Sequence, residues 1–229
     1  MTKRRDIKEL EEKIGYHFKN PDYIEEALTH SSYANEMKIN RKNDYERLEF
    51  LGDAVLELIS SDFIFKNNPT MPEGKMTKLR ASMVCEVALA YCAKDIELNT
   101  FIRLGKGEEA TGGRGGDSII SDVCEATIGA LYLDGGIEEA KKFIDRFILS
   151  DLEDKILFYD SKTVLQELIQ AKEFKTFEYE LVKEEGPDHA KVFVVNAVLD
   201  GDVIGTGEGK SKKAAEQTAA YEAIKRIKK

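Results

Sequence analysis

Four acids, Glu46, Glu49, Asp53 and Glu57, recur at intervals of three, four and four in ERLEFLGDAVLE, residues 46–57. At 100° per residue they fall within an arc of about 80° on one helix. Leu48, Leu51, Val55, Leu58 and Ile59 occupy the opposite side. A solvated helix also turns a polar stripe to water, but no Lys or Arg interrupts this one. Like charges four residues apart repel by a few tenths of a kcal/mol, so something outside the helix uses the stripe. A second pair, Asp122 and Glu125 in SDVCEA, shares a helix face at a spacing of three. Its segment is otherwise apolar, with Ile119, Ile120, Val123, Ile128, Leu131 and Leu133. The small residues Ala126 and Gly129 would let another helix or a ligand approach.

If the two segments pack together, Glu49, Asp53, Asp122 and Glu125 make a cluster of four carboxylates. Buried anions so placed take up protons unless a cation joins them. All-oxygen ligation without His or Cys suits a hard cation, Mg²⁺, with Mn²⁺ as its substitute. Mg²⁺ held by carboxylates and water can orient and deprotonate a water and stabilise charge on a phosphodiester. Each acid alone reads as part of a solvated face or a surface ion pair. Two pairs on apolar helices read as a metal platform.

Helices must position such a platform, and residues 6–150 read almost wholly as helix. IKELEEKIG ends on a glycine stop, and PDYIEEALTHSS begins on Pro21, suited to a first turn. NNPTMPEG breaks the chain after the acidic stripe. KMTKLRASMVCEVALAYCAKDI then carries apolar residues at helical spacing. GKGEEATGGRGGDS, residues 105–118, reads as a mobile glycine-rich loop. The apolar segment with the second acidic pair closes on Gly135 and Gly136, and GIEEAKKFIDRFI adds one more amphipathic helix. No strand is evident in this half. The pattern changes over residues 151–162. SKTVLQELIQAKEF reads as a short helix with Ser161 as its N-cap. FEYELVKEE alternates, GPDHA turns the chain, and Asp200-Gly201 joins two β-rich runs as a hairpin. An alanine-rich helix ends the chain.

The 229 residues carry a net charge of −9, which argues against general binding to a polyanion. Distribution matters more than the total. The final twenty residues hold seven basic and two acidic side chains, net +5, a local footprint for a polyanion. No apolar run approaches the roughly 20 residues that span a bilayer. The charged start MTKRRDIKELEE lacks the apolar core of a secretory signal. The expected location is the cytoplasm. Cys85, Cys92 and Cys124 form no metal-ligand cluster and read as buried free thiols.

ERLEFLGDAVL and SDVCEATIGALYLDGG resemble the two acidic motifs of the ribonuclease III family, and LTHSSYANE (28–36) and PEGKMTKLR (72–80) match its spacing. The tail, with GPDHAKVF and GEGKSKKAAEQ, resembles a double-stranded-RNA-binding domain. The resemblance covers essentially the whole chain. It implies an all-α endonuclease domain over residues 1–152, a linker at 153–160 and a small α-β-β-β-α domain over 161–229. It further implies metal-dependent cutting of both strands of double-stranded RNA, leaving 5′-phosphate and 3′-hydroxyl ends, by a homodimer that processes ribosomal RNA precursors and some messenger RNAs. Carried over, Glu49, Asp122 and Glu125 ligate Mg²⁺, with Glu125 also catalytic, and Asp53 helps place the attacking water. Glu46 and Glu73 match secondary acids of the cleavage cleft. Glu57 has no assigned role.

An RNA duplex offers a shallow minor groove lined by 2′-hydroxyls, and a double-stranded-RNA domain spans about 16 base pairs by touching two of them. The resemblance places RNA contacts on Gln166, Glu167 and Gln170 of the first tail helix and on His189 in the GPDHA loop. The third station is Lys210, Ser211, Lys212 and Lys213 at the start of the last helix, where the dipole favours phosphate. GEGKS invites a nucleotide-loop reading, which fails because the required glycine position holds Ile204. No nucleotide cofactor is expected. His30 reads as a packing residue, Cys124 as core, and Arg114 as either an RNA contact or part of a tether. Two rivals are a duplex binder that does not cut, which loss of any acid would favour, and a hydrolase of small phosphate compounds, against which the tail argues.

Overall fold

Caps written into the sequence open the first helices of the computed structural model, which describes residues 5–38, 44–150, 161–171, 176–186, 191–209 and 211–227. Asp6 accepts from the Lys8 amide to start α1 (Ile7–Ile14), and Gly15, at φ 76°, closes it. Asn20 accepts from the Asp22 amide at the head of α2 (Pro21–Ala27). His30 caps α3 (Ser31–Glu36) through its ring, which accepts from the Ser32 amide. The acidic stripe lies on α4 (Glu46–Asn67), a helix of 22 residues.

The helical run expected beyond residue 74 is two helices, α5 (Glu73–Met83) and α6 (Glu86–Asp95). Cys85 adopts extended backbone between them, which lets α5 stay beside α4 while α6 packs on the second acidic helix. Cys85 is also exposed, against expectation, whereas Cys92 and Cys124 are buried. The glycine-rich stretch is structured too. It holds α7 (Lys106–Ala110) and a 3-10 turn, Gly113–Gly115. Arg114 points inward there: it pairs with Glu109 and donates at 2.9 Å to each of the carbonyls of Asn99 and Ile102. Its guanidinium is therefore committed to the protein.

Helix α8 (Asp117–Gly135) runs through the centre, burying Ile120, Val123, Ile128 and Leu131, and α9 (Ile137–Phe143) continues into a π-turn, Ile144–Ile148. Leu10, Ile24, Leu28, Leu56, Ile64 and Leu89 complete this core. One isolated parallel bridge, Thr29 to Arg103, is the strand-like pairing here among the described residues. Leu58, expected on the apolar side of α4, is exposed, as are Phe50 and Phe65. Among the described residues no helix is long and apolar enough to cross a membrane.

The chain divides into two compact units, residues 1–150 and 151–229. The expected linker lies outside the described residues. The second unit has the order α10 (Ser161–Ala171), β1 (Phe177–Glu185), β2 (Val192–Leu199), β3 (Asp202–Gly209), α11 (Lys212–Ile227). Its sheet is antiparallel in the order β1-β2-β3, with Phe177 opposite Leu199 and Phe193 opposite Gly209. Asp200 and Gly201, at φ 49° and 88°, make the tight turn that their types predict. Leu165, Ile169, Ala197, Leu199, Ala219, Ala223 and Ile224 form the core. Ser161 is fully buried, and its hydroxyl donates at 2.9 Å to the Gln217 carbonyl, tying α10 to α11. Along β3, Gly205, Gly207 and Gly209 meet the backbone of α11 directly: added Cβ atoms would lie 2.2–2.5 Å from Ala215 or Ala219 backbone atoms.

Candidate active site

α4 and α8 touch main chain to main chain. A Cβ on Gly52 would lie 1.8 Å from the Glu125 carbonyl oxygen, and one on Gly129 would lie 2.3 Å from that of Leu48. Glycine inside a helix costs about 1 kcal/mol relative to alanine, so its presence there calls for a packing reason. The reason is this crossing, which sets Glu49 and Asp53, on either side of Gly52, against Asp122 and Glu125. Gly129 stands out in the sequence as a point of close approach. Gly52 escaped that reading, although a glycine within an unbroken apolar helix was the available signal.

Glu49, Asp122 and Glu125 are half-buried, while Glu46 and Asp53 are exposed. None of these five acids enters an ion pair among the described residues. The three half-buried members record the crowding in their protonation. Burial, then the charges of Asp53, Glu49 and Asp122, pushes Glu125 up to about 8. Burial, then Asp122, Glu46 and Asp53, pushes Glu49 up to about 7. Burial raises Asp122 as well, opposed by hydrogen bonds from Tyr45 and Ser121. The Tyr45 hydroxyl donates to Asp122 Oδ2 at 3.1 Å. No local signal announced that contact, which joins residues 77 apart in sequence.

Among the described residues, no three His, Cys, Asp or Glu side chains converge closely enough to ligate an ion as they stand. The acids feel one another without meeting. A cation that keeps part of its hydration needs fewer direct ligands, since Mg²⁺ typically takes one or two carboxylates and several waters. The donor set is oxygen only, and a divalent charge would replace the protons that Glu49 and Glu125 retain near neutrality.

The remaining acids stand elsewhere. Glu57 approaches Arg80 at 3.8 Å, and Arg80 donates to Ser61 Oγ at 2.9 Å. Glu73, at the start of α5, accepts from Thr77 Oγ1 at 2.8 Å. It lines a hollow of about 400 Å³ with Leu58, Phe65, Met76 and Arg80, apart from the four-carboxylate cluster. His30 packs and caps as expected, its ring 5.6 Å from that of Tyr45. Cys124 is core, and burial raises its thiol well above the usual range.

In the second unit, Gln166, Glu167 and Gln170 are exposed on α10 while Leu165 and Ile169 enter the core. Ser211 caps α11, accepting from the Ala214 amide at 3.2 Å, and its exposed neighbours Lys212 and Lys213 occupy the first turn. Two cations there oppose the helix dipole, an arrangement that an anion relieves. His189 and Lys210 lie outside the described residues.

Residues 20–152 match the family described as Ribonuclease-III-like, and residues 161–227 match the double-stranded RNA binding motif. Ribonuclease 3 of Caldanaerobacter subterraneus subsp. tengcongensis is 50% identical over 221 residues, 95% of this chain and 96% of that one. Ribonuclease 3 of Enterococcus faecalis is 48% identical, covering 96% of each. Among solved structures, the nuclease domain of ribonuclease III from Campylobacter jejuni is 40% identical with a TM-score of 0.59, covering 62% of this chain and 96% of that chain. A helical unit that sets paired acids face to face, followed by a double-stranded-RNA-binding motif, thus has whole-length relatives, and the chain belongs to the ribonuclease III family of endoribonucleases.

Proposed function

We propose that this chain is a Mg²⁺-dependent endoribonuclease that cuts both strands of double-stranded RNA, leaving 5′-phosphate and 3′-hydroxyl ends. The observation that carries this is the α4–α8 cluster: half-buried carboxylates, raised toward neutrality, with no basic partner among the described residues. Glu49, Asp122 and Glu125 would hold the cation, and Glu125 serves catalysis through it. Asp53, the exposed member, orients the attacking water. A bound Mg²⁺ supplies an activated water and charge stabilisation at the phosphodiester. Mn²⁺ satisfies the same oxygen set. Glu46 flanks the cluster in a secondary role.

A duplex has antiparallel strands, so cutting both calls for two sites related by a two-fold axis, as in a homodimer. Phe50 is 81% exposed, Phe65 71% and Leu58 62%, a row of α4 side chains suited to a second copy. The Campylobacter jejuni neighbour is described as having a region involved in dimer formation. Glu73 borders the same hollow as Leu58 and Phe65, and its secondary role in the cleft belongs to that dimer. Gln166, Glu167, Gln170 and His189 read the duplex minor grooves, and Lys210, Ser211, Lys212 and Lys213 take the phosphates between them. Ribosomal RNA precursors and some messenger RNAs, in the cytoplasm, are the substrates that family membership suggests.

The test is one long RNA duplex, assayed for cleavage and by gel shift with Mg²⁺ and then Ca²⁺. Cleavage with Mg²⁺ only, alongside binding with both ions, supports the proposal. Cleavage that survives chelation overturns the cation assignment, and binding without cleavage under either ion overturns the catalytic role of the cluster.

A further inference from the structure

Tyr45 precedes the first residue of the acidic stripe, and its main chain is held on both sides. Its amide donates to the Thr29 carbonyl at 2.9 Å, and its own carbonyl accepts from the Leu48 and Glu49 amides, each at 2.9 Å. The ring is 5% exposed and lies against His30, which is itself held by Ser32. The residue is thus a rigid arm that ends in one hydroxyl. That hydroxyl donates to Asp122 Oδ2 at 3.1 Å, across from the helix that Tyr45 begins. Ser121 Oγ gives Asp122 little competing support. It stands 3.5 Å from Oδ1 and directs its better bond, at 2.8 Å, to the Ser118 carbonyl.

A carboxylate on one helix is therefore aimed by a phenol at the start of the other. We propose that Tyr45 is a positioning residue for the cation site, fixing Asp122 by its Oδ2 so that Oδ1 is presented to the ion or to its coordinated water. This rests on the cation reading given above. Partners of this kind orient ligands that would otherwise sample several rotamers, and their removal typically lowers metal affinity about 10–100-fold. A phenol suits the task because it donates without bringing a competing positive charge. The rest of the cluster shows why one such anchor matters: no further hydrogen bond reaches Glu49, Asp53 or Glu125 side chains among those described, so Asp122 is the member whose orientation the protein sets most firmly.

The experiment compares wild type with Tyr45→Phe, Asp122→Asn and Ser32→Ala. Ser32→Ala loosens the His30 packing behind the ring and leaves the hydroxyl–carboxylate bond in place. Titration calorimetry of RNA-free protein with Mn²⁺ is the first readout, and the Mg²⁺ concentration for half-maximal cleavage is the second. Circular dichroism at low temperature confirms the native helical content of each variant. Tyr45→Phe is expected to weaken Mn²⁺ binding about tenfold and to raise the half-maximal Mg²⁺ equally. Its maximal cleavage rate should recover at high Mg²⁺, and its duplex affinity in chelator should stay unchanged. Ser32→Ala is expected to leave Mn²⁺ affinity at the wild-type value. Unchanged Mn²⁺ affinity in Tyr45→Phe, or an equal loss in Ser32→Ala, overturns the positioning role while Asp122→Asn still abolishes binding. If Asp122→Asn itself keeps wild-type Mn²⁺ affinity, the cation reading fails first and the inference falls with it.

Discussion

Gly52 faces the carbonyl oxygen of Glu125 so closely that a Cβ at Gly52 would lie 1.8 Å from it. The two acidic motifs are therefore joined at their backbones, and their carboxylates take their separation from main-chain contact rather than from side-chain packing.

Helix propensity and packing make opposite predictions for Gly52→Ala. Propensity alone favours alanine by about 1 kcal/mol. The contact with Glu125 makes it an overpacked site, with a loss of about 1–3 kcal/mol or more. The expected result is a lower melting temperature and cleavage reduced at temperatures where the variant is fully folded. A thermal melt and a cleavage assay on the same preparation check this, and a rise in melting temperature overturns the crossing.

Stability of the cation-free protein should fall as pH rises from about 5 to 8. An unfolded glutamate titrates near 4.3, whereas Glu49 and Glu125 titrate at about 7 and 8 in the folded chain. Between those values the folded state holds protons that the unfolded state has released, so raising pH favours unfolding. Urea midpoints in chelator at pH 6 and pH 8 measure the slope. Adding Mg²⁺ at pH 8 should offset the loss.

Glu125→Gln separates stability from activity. Removing a crowded charge should raise the melting temperature in chelator, by about 2–4 °C for each kcal/mol of repulsion relieved, and flatten the pH slope. Duplex binding should persist and cleavage should be lost. Cleavage equal to wild type would remove Glu125 from the proposed machinery.

Replacing Lys212 and Lys213 by alanine should weaken duplex binding and reduce the steepness of its salt dependence by about one for each phosphate left without its lysine. Maximal cleavage at saturating duplex should not change. Gel shifts across a salt series give the slope, and an unaltered slope would exclude these lysines from the interface.

Arg114→Ala should act on stability alone. It strands the carbonyls of Asn99 and Ile102 and the carboxylate of Glu109, which the guanidinium holds below its ordinary range. A loss of about 1–3 kcal/mol is expected. An altered salt dependence of RNA binding would instead return Arg114 to the RNA surface.

The acids were legible because helical spacing is local: three- and four-residue intervals already place Glu49 with Asp53 and Asp122 with Glu125. The hairpin at Asp200-Gly201 was legible because its backbone angles demand those residue types. Periodicity reports faces rather than what covers them, which is why Leu58 read as core and stands exposed. The break at Cys85 escaped notice because no proline or glycine marks it. Composition misled at residues 105–118, where flexibility implied by glycine is overridden by the contacts of one arginine with distant carbonyls. Tyr45 was invisible for the same reason, since its partner lies 77 residues away.

The glycines of β3 have a counterpart consequence in the second unit. Every other residue there offers α11 only main chain, from Gly205 through Gly209, and the last of them abuts the Ala214–Ala215 backbone beside Lys212 and Lys213. Main-chain atoms have no rotamers to exchange, so the sheet acts as a jig for the cationic helix end. Its position is machined by bond lengths instead of being adjusted by side-chain packing, so the helix end keeps one setting relative to the sheet.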